Sequence, residues 1–305
     1  MSRIFPVAVV VAAIMAFWYV ACIPMNIHLA ANLAGRAGIE ISPEAPGERR
    51  EMGAFALAAR NPAAWGLTYQ LDKPKLPAPH QVVAELWQTT VMQKVTSKRS
   101  LVYHGWVTLS STLLGFAIGT VAGIVLAVGI VHSRAMDMSV MPWAIASQTI
   151  PILAIAPMII VVLNSQGIQG LLPKAIISAY LSFFPVLVGM VKGLRSPSLM
   201  QLDQMRTWNA SREQTFFKLR LPSSAPYLFA SLKIGIAASL VGAIVGELPA
   251  GGGRGLGVRL LTGSYYGQTV QIWSALFATA ILAAVLVAII SGLERTTLRR
   301  MGVGR

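Results

Sequence analysis

Glu247 is the acidic residue nearest the interior of an apolar run, at the end of SLVGAIVGE. An ionisable group at such a position is expensive in a membrane and usually faces a bundle interior or water. Two readings of Glu247 stay open: a carboxylate at a helix end, hydrogen-bonded to loop amides, or a group on a polar pathway. Gln148, Thr149, Tyr180 and Ser182 are further polar side chains inside apolar runs. Each can line a pathway wall or bond one helix to another. Pro142, Pro151 and Pro157 interrupt the run that holds Gln148. A proline in a helix interior costs ~3 kcal/mol unless neighbours satisfy the freed carbonyl. The run is therefore expected to be kinked, either beside other protein or lining a pathway.

Covalent and acid–base chemistry find no support. There is no HExxH, no nucleophile elbow and no paired-carboxylate motif. The four histidines are scattered without ligand spacing, and the single cysteine, Cys22, rules out an internal disulfide and a cysteine-based metal cluster. GGGRGLG fits neither phosphate-loop pattern, and no Walker lysine is present. The expectation is a chain that is no enzyme, binds no metal or cofactor, and does not hydrolyse ATP.

The elements that must position these residues are apolar. The 305 residues are 55% apolar and only 12% charged, far from soluble averages. A net charge of +14 would suggest nucleic acid in a soluble chain. Here the cations sit at loop ends with no aromatic-interleaved stripe, so positive-inside topology explains them and no nucleic-acid partner is expected. Runs at 4–23, 107–131, 139–163, 171–194, 227–248 and 269–293 are long enough to span a ~30 Å hydrocarbon core at ~1.5 Å per residue. The first competes with a signal peptide and is read as an uncleaved helix. The expected fold is all-α, a polytopic membrane protein with six transmembrane helices. Gly115, Gly119 and Gly123 recur every four residues and should let another helix approach closely. Lys233, near one end of its span, can snorkel to the headgroups.

Four segments follow: an N-terminal helix at 1–25, a polar segment at 26–104, a core of five spans at 105–295, and a basic tail at 296–305. Within 26–104, residues 53–59 and 81–91 read as short helices, the second amphipathic and along the membrane surface. Apolar periodicity there is too sparse to predict an independent domain. Residues 249–268 read as a loop, with the glycine run as a flexible turn. Cations on the inner side, namely Arg3, Arg134, the group from Lys192 to Arg220 and the tail arginines, place both termini in the cytoplasm. Residues 26–104 then fall outside, since long loops translocate regardless of charge.

Residues 195–226 form the one long cationic segment between apolar runs in the second half. Asn209 tolerates the left-handed region and can turn the chain. Ser211 can cap a second short helix, with Gln214 completing a capping box. Pro222 and Pro226 bracket the entry to the next span. The stretch DQMRTWN, nine residues, LRLP resembles the cytoplasmic coupling loop of bacterial ABC-importer permeases, which reads Glu-Ala-Ala-x-x-x-Gly, nine residues, Ile-x-Leu-Pro. Asp203, Asn209, Leu219, Leu221 and Pro222 fall on its Glu, Gly, Ile, Leu and Pro. Gln204 and Met205 replace the alanines. LPAPHQVVAELW, TIPILAIAP, the span with Pro185 and the late Glu247 extend the resemblance from about residue 76 to 294, closest to permeases for nitrate, sulfonates, taurine and pyrimidine-type compounds.

The resemblance implies a type I permease fold, in the bacterial inner membrane, that forms the pathway of an ATP-driven importer. Asp203, Met205, Trp208, Asn209, Ala210, Ser211, Leu219, Leu221 and Pro222 would then form a coupling loop for an ATPase. Gln148, Pro151, Pro157, Tyr180 and Glu247 would be pathway candidates, Glu247 near the outer gate. Implied partners are two ATPase subunits, which use the ATP, a periplasmic substrate-binding protein, and a second copy of the chain as a homodimer in the bilayer. The substrate would be a sulfonate, taurine or nitrate, or equally a pyrimidine-type thiamine precursor. The rival classes are a secondary transporter or channel without an ATPase, and an intramembrane enzyme.

Overall fold

The structure is a computed structural model and describes residues 4–249 and 253–302. Arg3, the first two residues of the glycine-rich run and the last tail residues lie outside that range. The described residues are mostly helical, with no strand among them. They divide into two compact units: the chain up to Val102 with Arg259–Ala278, and Tyr103–Val258 with the chain from Thr279 onward.

The first unit begins with α1, Ile4–Arg36. It does not end near residue 25 but runs on as one helix of 33 residues, about 50 Å at the usual rise. Its early face is apolar and bare, with Phe5, Val9 and Phe17 exposed. Its later turns bury Ile27, Ala31 and Ala34 against Ile41, Leu57, Ala58 and Ala64. Ile41 lies in the loop before the short helix α2 (Pro46–Glu51), Leu57 and Ala58 on α3 (Ala54–Arg60), and Ala64 in the 3-10 turn that leads into α4 (Trp65–Thr68).

The sparse periodicity at 26–104 therefore understates its order, because much of it is held by buried polar side chains. The Asn26 amide donates to the Thr68 and Leu76 carbonyls at 3.1 and 2.7 Å and accepts from the Lys75 and Leu76 amides at 2.8 and 3.1 Å. Asn61 ties the Ser42 backbone at 2.8 Å in both directions. Buried Arg49 donates to the Ala31 carbonyl at 3.0 Å. Then α5 (Pro79–Trp87) continues into a π-helical turn, Gln88–Met92. Val83, Trp87 and Val91 are exposed at a spacing of four.

The second unit holds most of α6 (Leu101–His132), then α7 (Arg134–Ser147), α8 (Ile152–Ser165) and α9 (Leu171–Leu194). After the polar loop come α12 (Leu221–Glu247), α13 (Leu256–Tyr265) and α14 (Thr269–Arg300), the last two shared with the first unit. Residues 249–268, read as a loop, thus contain a helix.

Small residues set the packing of this unit. A Cβ on Gly119 or Gly123 would lie 2.8 Å from the Ala179 or Phe183 carbonyl of α9, so only glycine allows this approach. The Ser178 hydroxyl donates to the Ser239 carbonyl at 2.9 Å, and the Ser239 hydroxyl to the Thr112 carbonyl at 2.8 Å. Three helices are thereby bonded in series.

Among the described residues, five helices are long and apolar enough to cross a membrane, and six if the bent α7–α8 pair is one span. The expected run 139–163 is no simple kinked helix: it breaks at 148–151 with a bend of 98°. Pro151 is the N-cap of α8 and disfavours helical backbone at Ile150. Lys233 does not simply snorkel; its ammonium forms an ion pair with Glu294 of α14.

Candidate functional site

The polar segment between α9 and α12 is built by local capping. Ser198 caps α10 (Leu199–Thr207): its hydroxyl accepts from the Gln201 amide at 3.3 Å, and the Gln201 side chain accepts from the Ser198 amide at 2.9 Å. The helix ends in a Schellman motif. The Asn209 amide bonds the Arg206 carbonyl at 2.9 Å and the Ala210 amide the Met205 carbonyl at 3.0 Å. Asn209 takes the left-handed position with φ +53°, where glycine is usual and asparagine is the best-tolerated substitute. Ser211 then caps α11 (Arg212–Thr215) in a second box with Gln214, at 3.1 and 3.0 Å.

A π-helical turn, Phe216–Arg220, carries the chain into α12, with Pro222 in its first turn. The turn divides two neighbouring phenylalanines. Phe216 packs on the α6–α9 core and meets His132 at 5.2 Å between ring centroids. Phe217 faces out with Trp208, Leu199 and Met200, the last two about 80% exposed. Four large apolar side chains are thus bare on a cationic loop. Leu199 and Met200 are absent from the residues expected there; two large apolar residues directly after the Ser198 cap, opening a polar helix, are the signal that would have found them. The Asp203–Arg206 ion pair, 2.9 Å, is exposed and contributes little.

Gln148, Pro151 and Tyr180 come together at the α7–α8 break. Gln148 is the C-cap of α7, Pro151 the N-cap of α8, and the Tyr180 hydroxyl of α9 donates to the Ser147 carbonyl. Pro157 lies farther along, inside α8.

Glu247 is elsewhere and fully buried. Oε1 accepts from the Thr108 hydroxyl at 2.8 Å and Oε2 from the Gly257 amide at 2.7 Å. The Thr108 oxygen also accepts from the Leu256 amide at 2.9 Å, and His104 Nδ1 accepts from the Gly255 amide at 3.0 Å. The Lys174 ammonium donates to the Arg254 carbonyl at 2.9 Å. So the part of the glycine-rich run within the described residues is a stapled segment leading into α13, not a flexible turn. Gly255, at φ +142°, lies where any Cβ would strike the Glu247 carboxylate. Among the described residues, no three His, Cys, Asp or Glu side chains gather as a metal set.

Residues 119–303 match the family described as binding-protein-dependent transport system inner membrane component. A formylaminopyrimidine transport permease protein, ThiX of Halalkalibacterium halodurans, is 29% identical over 73% of this chain and 84% of its own. A riboflavin transport system permease protein, RibX of Chloroflexus aurantiacus, is 30% identical over 73% and 80%. A probable ABC transporter permease protein of Haemophilus influenzae is 30% identical over 62% and 75%.

Proposed function

Because this chain belongs to the family of inner-membrane components of binding-protein-dependent transport systems, and is the multi-pass permease subunit of an ABC importer, we propose how its parts serve that role. The loop from Leu199 to Arg220 is the coupling element, and an ATPase subunit docks on it. The observation that carries this reading is the loop's construction. Two capping boxes and a left-handed Asn209 hold a rigid cationic hairpin whose apolar side chains, Leu199, Met200, Trp208 and Phe217, lack cover. The ATP belongs to the ATPase; this chain binds none.

The working assembly is a homodimer in the bacterial inner membrane, with two ATPases on the cytoplasmic side and a binding protein delivering solute outside. Both termini are cytoplasmic. One copy of the coupling loop per chain supports two chains per transporter. The solvent-facing surfaces of α1 and α14, whose apolar windows are only 6% buried, leave ample area for lipid and the second copy. ATP binding would draw the two loops together and open the pathway outward; hydrolysis would reset it. The solute is small and polar. Relatives named for formylaminopyrimidine and riboflavin support a nitrogen heterocycle over a simple sulfonate or nitrate.

The test is purification of the tagged chain from its native membrane in mild detergent, with mass spectrometry of what accompanies it. A near-stoichiometric ATPase is expected, and L199E/M200E together should remove it while the chain stays folded. A homo-oligomer without ATPase would overturn the coupling reading in favour of a channel or secondary transporter.

A further inference from the structure

A cavity of about 700 Å³ opens in the second unit at the N-terminal end of α9, the end of that helix opposite the coupling loop. The size suits a small organic solute. Its wall is mixed: Tyr103, Trp106 and Ser110 from α6, Asn164 from α8, Lys174 from α9, and Arg254 from the stapled segment. Two of these are cations, and no Asp or Glu is among its described lining residues.

The site is built rather than incidental. Arg254 is held by four successive backbone bonds: Lys174 on its own carbonyl, His104 on the Gly255 amide, Thr108 on the Leu256 amide and Glu247 on the Gly257 amide. Lys174, His104, Thr108 and Glu247 are all buried. The Arg254 guanidinium bonds the Tyr103 hydroxyl and lies over its ring, 5.5 Å from the centroid. Both oxygens of Glu247 are already occupied, by Thr108 and Gly257. Lys174 spends one of its three donors on the Arg254 carbonyl and keeps two. The guanidinium keeps further donors in a planar fork suited to an oxyanion.

We infer that this cavity is an anion-receiving site for a group bearing charged oxygens, set by Lys174 and Arg254, with Trp106 and Tyr103 offering faces to a planar ring. A free solute and an anionic lipid headgroup share that chemistry. The inference rests on the permease reading for its purpose but not for its test.

The experiment uses the full chain in phosphatidylcholine nanodiscs, titrated with benzenesulfonate and with neutral benzenesulfonamide. Tryptophan fluorescence is followed, with W106F subtracting the part due to Trp106. Benzenesulfonate should bind saturably and the sulfonamide should not. R254Q and K174Q should each weaken binding more than about tenfold, the loss of one charge-assisted bond. Arg254 is exposed, so R254Q keeps the test decisive even where buried Lys174 cannot be replaced without unfolding. Equal binding of the two compounds, or unchanged affinity in R254Q, overturns the inference. So does cross-linking of W106C to W106C of a second copy in native membranes, which would make the cavity a dimer contact. Phosphatidylglycerol in the disc separates the two sources: displacement of the probe assigns the site to a headgroup, and an unchanged titration assigns it to solute. Lost anion binding with ATPase still bound removes this cavity alone; lost ATPase with anion binding intact removes the coupling reading alone.

Discussion

The Tyr180 hydroxyl donates to the Ser147 carbonyl, the acceptor that residue 151 would satisfy in an unbroken helix and that Pro151 cannot. A donor from α9 thus replaces the missing amide at the 98° bend between α7 and α8. Y180F keeps the ring and removes only that donor. The freed carbonyl should cost about 1–3 kcal/mol, read as a lower unfolding temperature of the purified chain. An unchanged midpoint would mean that water or a neighbour serves the carbonyl equally well.

The left-handed turn at Asn209 gives a graded series. N209G should match the parent, since glycine reaches φ +53° without strain. N209V should lose roughly 1–2 kcal/mol or more in the local turn. N209P cannot adopt a positive φ at all. ATPase retained on the affinity column should fall in that order, while the amount of chain in the membrane stays level. Full retention by N209P would separate the turn from docking.

At the opposite end of the bundle, E247A should leave the Gly257 amide without its buried acceptor, at about 1–3 kcal/mol, while the Thr108 hydroxyl keeps the His104 carbonyl at 3.2 Å. Hydrogen exchange at Gly255, Leu256 and Gly257 should accelerate together. E247Q, which keeps an acceptor oxygen, should show a smaller change. G255A should resemble E247A, because its Cβ would displace the carboxylate. Exchange that stays slow in E247A would show that His104 and Lys174 suffice to hold the segment.

Lys233 and Glu294 join α12 to α14 by an ion pair with side chains 31% and 20% exposed. K233M should strand a partly buried carboxylate and lower stability by roughly 1–3 kcal/mol. K233E with E294K should recover much of what either change loses alone. Additive losses in that double-mutant cycle would mean that the two side chains are not coupled.

What could be read in advance follows the range of the interactions. The apolar spans, the turn at Asn209 and the Ser211–Gln214 cap are local, and each lies within a few residues of its own signal. The glycine groove of α6 was legible because its spacing names its face, though not the helix that fills it. The order of residues 26–76 was hidden. Asn26, Asn61 and Arg49 hold it through backbone partners up to 50 residues away, and a polar residue in such a stretch looks like any loop residue. Glu247 was singled out by its depth, but its partner Thr108 is 139 residues distant. The bend at Pro151 was visible only as a kink, since the angle depends on what α9 supplies.

The length of α1 has a mechanical consequence. A stiff rod of about 50 Å with its far turns clothed by α2 to α4 is a lever whose fulcrum is the bilayer. Tilting it by about 20°, ordinary for a membrane helix, offsets its two ends sideways by roughly 17 Å relative to each other. Bilayer thickness, through that tilt, is thus a dial on where the helical cap stands.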